Sequence, residues 1–273
     1  MKLIESRYET SRKKAPFLER VSLTWGRWQV LSGSWLKVIA MACMMIDHTA
    51  SRLFRHAEAF NEPLISLGNH HMTWNYLMWS IGRLAFPLFA FLLVEGFQHT
   101  SNRKKYGRNL FVFALISVIP WILTHGGHWY SVFGNVFFTL FFGFLALCAV
   151  SQWEEERQQN ASENILNINN TRLAIRVFAC IVAPILLRCD FGSSGVSFIL
   201  LLYVLRHNRI LQAATGCCYL SSRWIAGLAF IPINLYNGRR GFIQGPWAKY
   251  LFYAFYPVHL LVLYVFMRML GIK

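Results

Sequence analysis

The residues able to do chemistry in this chain are ionisable groups set inside apolar sequence. The foremost pair is Asp47-His48, near the middle of the run Ile39-Ala-Met-Ala-Cys-Met-Met-Ile-Asp-His. An imidazole titrates near neutrality and an adjacent carboxylate can orient it, so the pair suits proton transfer. The structural alternative is an interhelical ion pair beside a satisfied core histidine. His48 follows Lys37 by eleven positions, which on a helix puts both on nearly one face, roughly 16 Å apart. Asp47 points about a quarter-turn away, toward a neighbouring helix. His48 and Asp47 are the candidate catalytic residues.

A second set begins with Gly82-Arg83-Leu-Ala-Phe-Pro87 and Glu95. Arg83 is a natural counter-ion for Asp47, and Pro87 predicts a kink. The following stretch, Glu95-Gly-Phe-Gln-His-Thr100-Ser-Asn102-Arg-Lys-Lys-Tyr106-Gly-Arg108, gathers cations and hydrogen-bonding groups at a helix end. Such a cluster can grip phosphates, or serve only as a positively charged anchor. Lys37, Arg83, Glu95, Thr100, Asn102, Tyr106 and Arg108 are therefore candidates for holding an anionic cofactor. On the substrate side the candidates are Asn135, Asp190, Tyr256 and His259. Asp190 lies in Arg188-Cys-Asp190-Phe-Gly192-Ser-Ser-Gly195, a stretch whose glycines predict a tight bend. Tyr250, Tyr253, Tyr256 and His259 recur every three residues around Pro257, which would put their polar tips on one face. No metal is expected. His56, His70, His71, His125 and His128 fall mostly in connections, and the six cysteines sit almost wholly in apolar runs without paired two-residue spacers.

The elements that must position these groups are membrane helices. The chain has 273 residues, 55% of them hydrophobic and 16% aromatic, but only 14% charged. A soluble domain carries roughly a quarter charged residues, so lipid is the expected solvent. The formal charge of +15 does not signal nucleic acid, because Lys and Arg cluster between apolar runs and in the N-terminal arm. Apolar runs of spanning or near-spanning length occur at about 35–55, 77–97, 110–123, 132–150, 173–187, 194–205, 211–233 and 250–270. The expected fold is an all-α membrane protein, a polytopic bundle of about eight transmembrane helices. Residues 1–34 would form a basic cytoplasmic arm without a cleavable signal peptide, and residues 35–273 the helical domain. The positive-inside rule puts both termini in the cytoplasm. Arg239, Arg240 and Lys249 then fall outside, so either they serve a purpose or the seventh span is misread.

Taken together, these motifs resemble the TraX family, whose namesake is the F-pilin acetylase. The matching stretches are Leu36-Lys37-Val-Ile-Ala with Met45-Ile-Asp47-His48, Gly82-Arg83-Leu-Ala-Phe-Pro87-Leu-Phe89, Gly134-Asn135, Gly192-Ser-Ser-Gly195 and Phe255-Tyr256-Pro-Val-His259-Leu. Glu95-Gly-Phe-x-x-Thr100-x-Asn102 and Asn237-Gly-Arg239-Arg240-Gly241 look typical of TraX-like proteins other than the pilin enzyme itself. The resemblance implies a bacterial inner-membrane acyltransferase that moves an acetyl group from acetyl-CoA to an amine, such as a protein N-terminus, or to a small acceptor. It also implies His48 as general base. The implied partners are membrane lipids and the acyl acceptor, with no nucleic acid. The competing expectations are a transporter, which also needs polar groups at mid-membrane, and a membrane scaffold, which leaves Asp47-His48 without a purpose.

Overall fold

A computed structural model describes residues 28–67, 70–126, 132–159, 163–245 and 247–272. Most of the expected N-terminal arm, His128 and the side chains of His70 and His71 lie outside the described residues. Helix α1 spans Gly33–Arg52, and its buried Leu36, Ala40, Cys43, Met44 and Ala50 make a stripe at helical spacing. That stripe packs on α2 (Trp74–Gly82) and α3 (Ala85–His99). Between α1 and α2 the chain forms a short antiparallel hairpin, β1 (Pro63–Leu67) and β2 (His70–Thr73). Next come α4 (Arg103–Ile116) and α5 (Val118–Thr124), then α6 (Val136–Gln159), α7 (Glu163–Leu186) and α8 (Gly192–Val204). The chain closes with α9 (Arg209–Tyr219), a 3-10 segment (Ser221–Ala229), α10 (Phe230–Asn234) and α11 (Ala248–Met269).

Among the described residues, five segments are long and apolar enough to cross a bilayer: Trp74–His99, Arg103–Thr124, Val136–Gln159, Ile168–Leu186 and Ala248–Met269. Helix α1 has 20 residues but carries Lys37, Asp47 and Arg52, and α8 has 13. Helix α3 forms the middle of the bundle, with Leu88, Phe91, Val94 and Phe97 buried. Helix α7 turns Ile175, Phe178, Ile185 and Leu186 outward, more than half exposed, as a lipid-facing helix should. Apolar burial alone does not hold helices together in lipid, so close backbone approach has to do so. Gly82 gives one such approach: a Cβ there would run into the Asp47 side chain.

Three features differ from the sequence expectation. Pro87 lies in the first turn of α3, and the break falls at Arg83–Leu84. A ring there cannot pair with the carbonyl four residues back, so the helix restarts before it rather than kinking around it.

The segment expected as a seventh span does not run through. Arg223 has non-helical angles (φ −133°, ψ 54°), and the chain folds back so that the Phe230 ring abuts Gly216 and Gly227 abuts Cys217. This re-entrant hairpin returns the chain to the start of α1. There Leu31 N–H donates to the Leu235 carbonyl, and Gly33 and Ser34 N–H donate to the carbonyls of Arg239 and Arg240, at 2.8–2.9 Å. Gly241 (φ +89°) completes the contact, since a Cβ there would strike Ser32 and Ser34. Arg239 and Arg240 therefore share the end of the bundle with the N-terminal segment.

The third difference follows from the second. Helix α11 runs parallel to α1, with Phe252 beside Lys37 and His259 beside His48. Helix α11 therefore ends at the end of the bundle opposite Trp28, where eight alternating spans would have ended it beside Trp28.

Candidate functional site

The polar groups on α1 meet those on α11 about three-quarters of the way along α1. His48 Nδ1 lies 2.6 Å from His259 Nε2, the ring planes within 2° of each other. His259 Nδ1 lies 2.9 Å from the Phe255 carbonyl, one turn earlier in α11. A carbonyl only accepts, so His259 Nδ1 carries a proton, and in the neutral ring its Nε2 must accept. His48 Nδ1 then donates across the 2.6 Å contact. The tautomer chain leaves a lone pair on His48 Nε2, the form a general base requires. Tyr256 packs against the pair, its ring 6.0 Å from His48 and 5.4 Å from Phe137. Its hydroxyl is buried near the Val136 amide and makes no well-formed hydrogen bond.

The carboxylates and guanidiniums form a separate tier. Asp47 presses on the Gly82 backbone and has Arg83 and Arg52 as its charged neighbours. The Arg83 guanidinium stacks on Trp79 at 3.8 Å, and its Nε is buried without a hydrogen-bond partner. Asp190 has Asp47, Arg83 and Arg223 as charged neighbours. Its loop is held by the Thr139 hydroxyl on the Asp190 carbonyl and by the Asp190 N–H on the Gly134 carbonyl (3.1 Å). The carboxylate accepts the Phe191 N–H at 3.1 Å. Arg188 and Phe191, on either side, take left-handed angles (φ 53° and 61°), a conformation that L side chains adopt only where the surroundings enforce it.

Asp47, His48, Arg83, Asp190, Tyr256 and His259 are thus brought together from four parts of the chain: α1, the α2–α3 break, the α7–α8 loop and α11. Asn135 lies close by in sequence to this region but is engaged structurally: its Nδ2 donates to the Ala114 carbonyl at 3.0 Å and its Oδ1 accepts the Phe137 N–H at 3.1 Å. It ties α4 to the start of α6.

The remaining candidates sit toward the other end of the bundle. Lys37 Nζ lies 5.1 Å over the Phe252 ring, with Arg240 as a charged neighbour. Glu95 pairs with Arg209 at 3.2 Å, fastening α3 to the re-entrant hairpin. Thr100 Oγ1 accepts the Asn102 N–H at 3.4 Å, and Asn102 Oδ1 caps α4 by accepting the Lys105 N–H at 2.8 Å. The Tyr106 ring packs edge-on to Phe144 at 5.2 Å, and Arg108 is exposed. Arg103, from the same basic cluster, pairs with Glu155 at 3.1 Å. Thr100 and Asn102 therefore have local roles in turning the chain.

Three further residues at the site escape the sequence reading. Arg52 lies five positions beyond Asp47, and only the bundle shows that it is a charged neighbour of Asp47, Asp190 and Tyr256. Arg223 looks like a helix interruption in sequence and proves to be the tip of the hairpin. His125, expected in an outside connection, stacks on Trp121 at 3.4 Å and is a charged neighbour of His48. Among the described residues no cluster of three or more His, Cys, Asp or Glu is arranged to hold a metal ion.

Comparison with known proteins agrees with the motif resemblance. The family model described as TraX protein matches residues 32–267. A relative from Dichelobacter nodosus, described as probable fimbrial assembly protein FimC, serogroup H1, is 30% identical over 258 residues. The similarity covers 84% of this chain and 92% of that relative. No solved structure matches.

Proposed function

Since this chain belongs to the TraX family and is a multi-pass membrane protein, we propose that it is an acyltransferase carrying an acetyl group from acetyl-CoA to an amine. The observation that supports this most is the tautomer chain Phe255–His259–His48, which leaves His48 Nε2 basic inside the bundle. His48 Nε2 takes the proton from the acceptor amine as its nitrogen attacks the thioester carbonyl. The C–N bond forms, the C–S bond breaks, and the proton passes from His48 to the departing thiolate of coenzyme A. His259 is a positioning residue: it fixes the tautomer and accepts from the imidazolium as charge develops. The Tyr256 hydroxyl, buried without a well-formed hydrogen bond, is the candidate donor to the oxyanion.

The donor enters from the end of the bundle where Lys37, Arg239, Arg240 and Lys249 converge. Coenzyme A is a cytoplasmic anion, which makes that end the cytoplasmic one and puts the C-terminus across the inner membrane. Its phosphates lie among these cations, and its pantetheine arm climbs α1 over the roughly 16 Å from Lys37 to His48. The Dichelobacter relative is described as a fimbrial assembly protein, which favours the N-terminus of a pilus-type subunit as acceptor.

The reading is tested with membrane vesicles holding the wild-type chain or His48→Ala and isotopically labelled acetyl-CoA. Peptide, lipid and small-molecule fractions are then analysed by mass spectrometry. Label should enter one fraction and fall by about 10²- to 10⁴-fold in His48→Ala. Equal labelling by the two proteins removes His48 from the mechanism.

A further inference from the structure

The tip of the re-entrant hairpin closes over a cavity of about 50 Å³ between the α2–α3 break and the start of α8. Its lining includes Arg83, Arg223, Phe86, Phe191, Ser194 and Tyr219. A water fills roughly 10–15 Å³ by this measure, so the space suits a carboxylate or phosphoryl group and is far too small for a nucleotide.

Among the described residues the cavity wall carries two guanidiniums, Arg83 and Arg223, and no carboxylate. Behind the wall, Asp47 and Asp190 are charged neighbours of Arg83, and Asp190 of Arg223. The arginines that form ion pairs with carboxylates among the described residues are Arg103, Arg206 and Arg209, and neither cavity arginine is one of them. A guanidinium set in a membrane protein is by default a functional hypothesis. The two cavity arginines come from elements far apart in sequence, and each raises the cost of the other's charge. The wall they share offers no anion of its own among the described residues. Arg83 Nε is already buried without a partner. Ser194, Tyr219 and Arg223 are exposed at the rim, which opens the cavity on the side of the bundle.

We propose that this cavity, formed by Arg83 and Arg223 at the hairpin tip, binds an oxyanion group (phosphate or carboxylate) of a soluble or lipid-borne molecule. The cavity lies away from the cationic end of the bundle proposed for the entry of the acyl donor, and the proposal does not rest on the acyl-transfer reading. The phenyl rings of Phe86 and Phe191, stacked at 3.8 Å, would meet the apolar portion of the ligand.

The test uses the full chain in an uncharged detergent, with thermal unfolding followed against inorganic phosphate, acetate and dihexanoyl phosphatidic acid. At saturation one probe should raise Tm by about 5 °C. Arg83→Gln and Arg223→Gln should each weaken that probe at least about tenfold, while Arg157→Gln, remote from the cavity, should not. Saturation by phosphate or acetate assigns a soluble ligand, and saturation by the phosphatidic acid alone assigns a lipid. No stabilisation of the wild type by any probe overturns the proposal, as does undiminished stabilisation of both cavity variants. If the Gln variants aggregate, Arg223→Lys replaces them. It keeps the charge but loses the forked donor geometry, and unchanged affinity in it overturns the proposal. Coenzyme A binding, measured on the same proteins, should survive Arg223→Gln; its loss would show one shared site instead of two.

Discussion

Replacing His259 by Phe tests the acid–base chain most directly. The substitution keeps a planar ring of similar size beside His48 and removes the acceptor for its Nδ1 proton, now 2.6 Å away. At rest the lost contact joins two neutral rings. In the transition state of the proposed reaction His48 is becoming imidazolium, and the same contact becomes charge-assisted. A hydrogen bond to a charged group contributes about 1.5–3 kcal/mol, which converts to a loss of about 10- to 150-fold in kcat. The KM for acetyl-CoA should stay within about twofold, because His259 lies far from the cationic entrance and acts only as charge develops. His259→Gln retains an acceptor and should lose less. The assay is label transfer from acetyl-CoA to the acceptor fraction, with kcat and KM measured separately. The double variant His48→Ala/His259→Phe should be no slower than His48→Ala, since a positioning residue has nothing left to position. A His259→Phe enzyme within about threefold of wild type, or a double variant slower than His48→Ala by the full single-variant factor, would refute the tautomer argument.

The re-entrant hairpin predicts that alkaline phosphatase fused after Lys273 is active in the periplasm; an inactive, cytoplasmic fusion would mean that the hairpin crosses after all. Arg240→Glu should raise the Kd for coenzyme A about tenfold or more in an equilibrium titration, by replacing an attraction with a repulsion at the entrance. Gly82→Ala should lower Tm, because the added Cβ meets Asp47 and an overpacked contact costs about 1–3 kcal/mol; an unchanged melting curve would show that α1 and α2 are not so close. Asn135→Ala should also destabilise by about 1–3 kcal/mol, through the stranded Ala114 carbonyl and Phe137 N–H, while the Kd for coenzyme A stays put.

The sequence made the helices legible because length and apolarity suffice for them, and Asp47-His48 because charge inside an apolar run is costly wherever it occurs. It did not show what His259 does. A stripe of three-residue spacing places a histidine on a face, but the partner on that face lies 211 positions away. Arg223 was visible only as an interruption, since a helix that stops and one that turns back have the same local composition. Thr100, Asn102 and Asn135 read as ligand-binding groups because capping and binding draw on the same side chains. Hydropathy likewise counts 211–233 as a span, as it has no means of distinguishing a single crossing from two shorter legs.

The pairing of His48 with His259 also bears on how the protein is made. The first helix enters the membrane carrying Lys37, Asp47, His48 and Arg52, each of the charged ones costing about 2.5–3.5 kcal/mol at mid-bilayer. The histidine that His48 bonds to lies 211 positions later, on α11. Until α11 is made, α1 is held by α2 and α3, where Gly82 lets Asp47 dock early. Insertion of α11 therefore acts as an assembly checkpoint. A chain cut short before α11 would keep most of its apolar spans yet present an unpaired His48 to membrane proteases, so truncated products should be degraded rather than accumulate in the membrane.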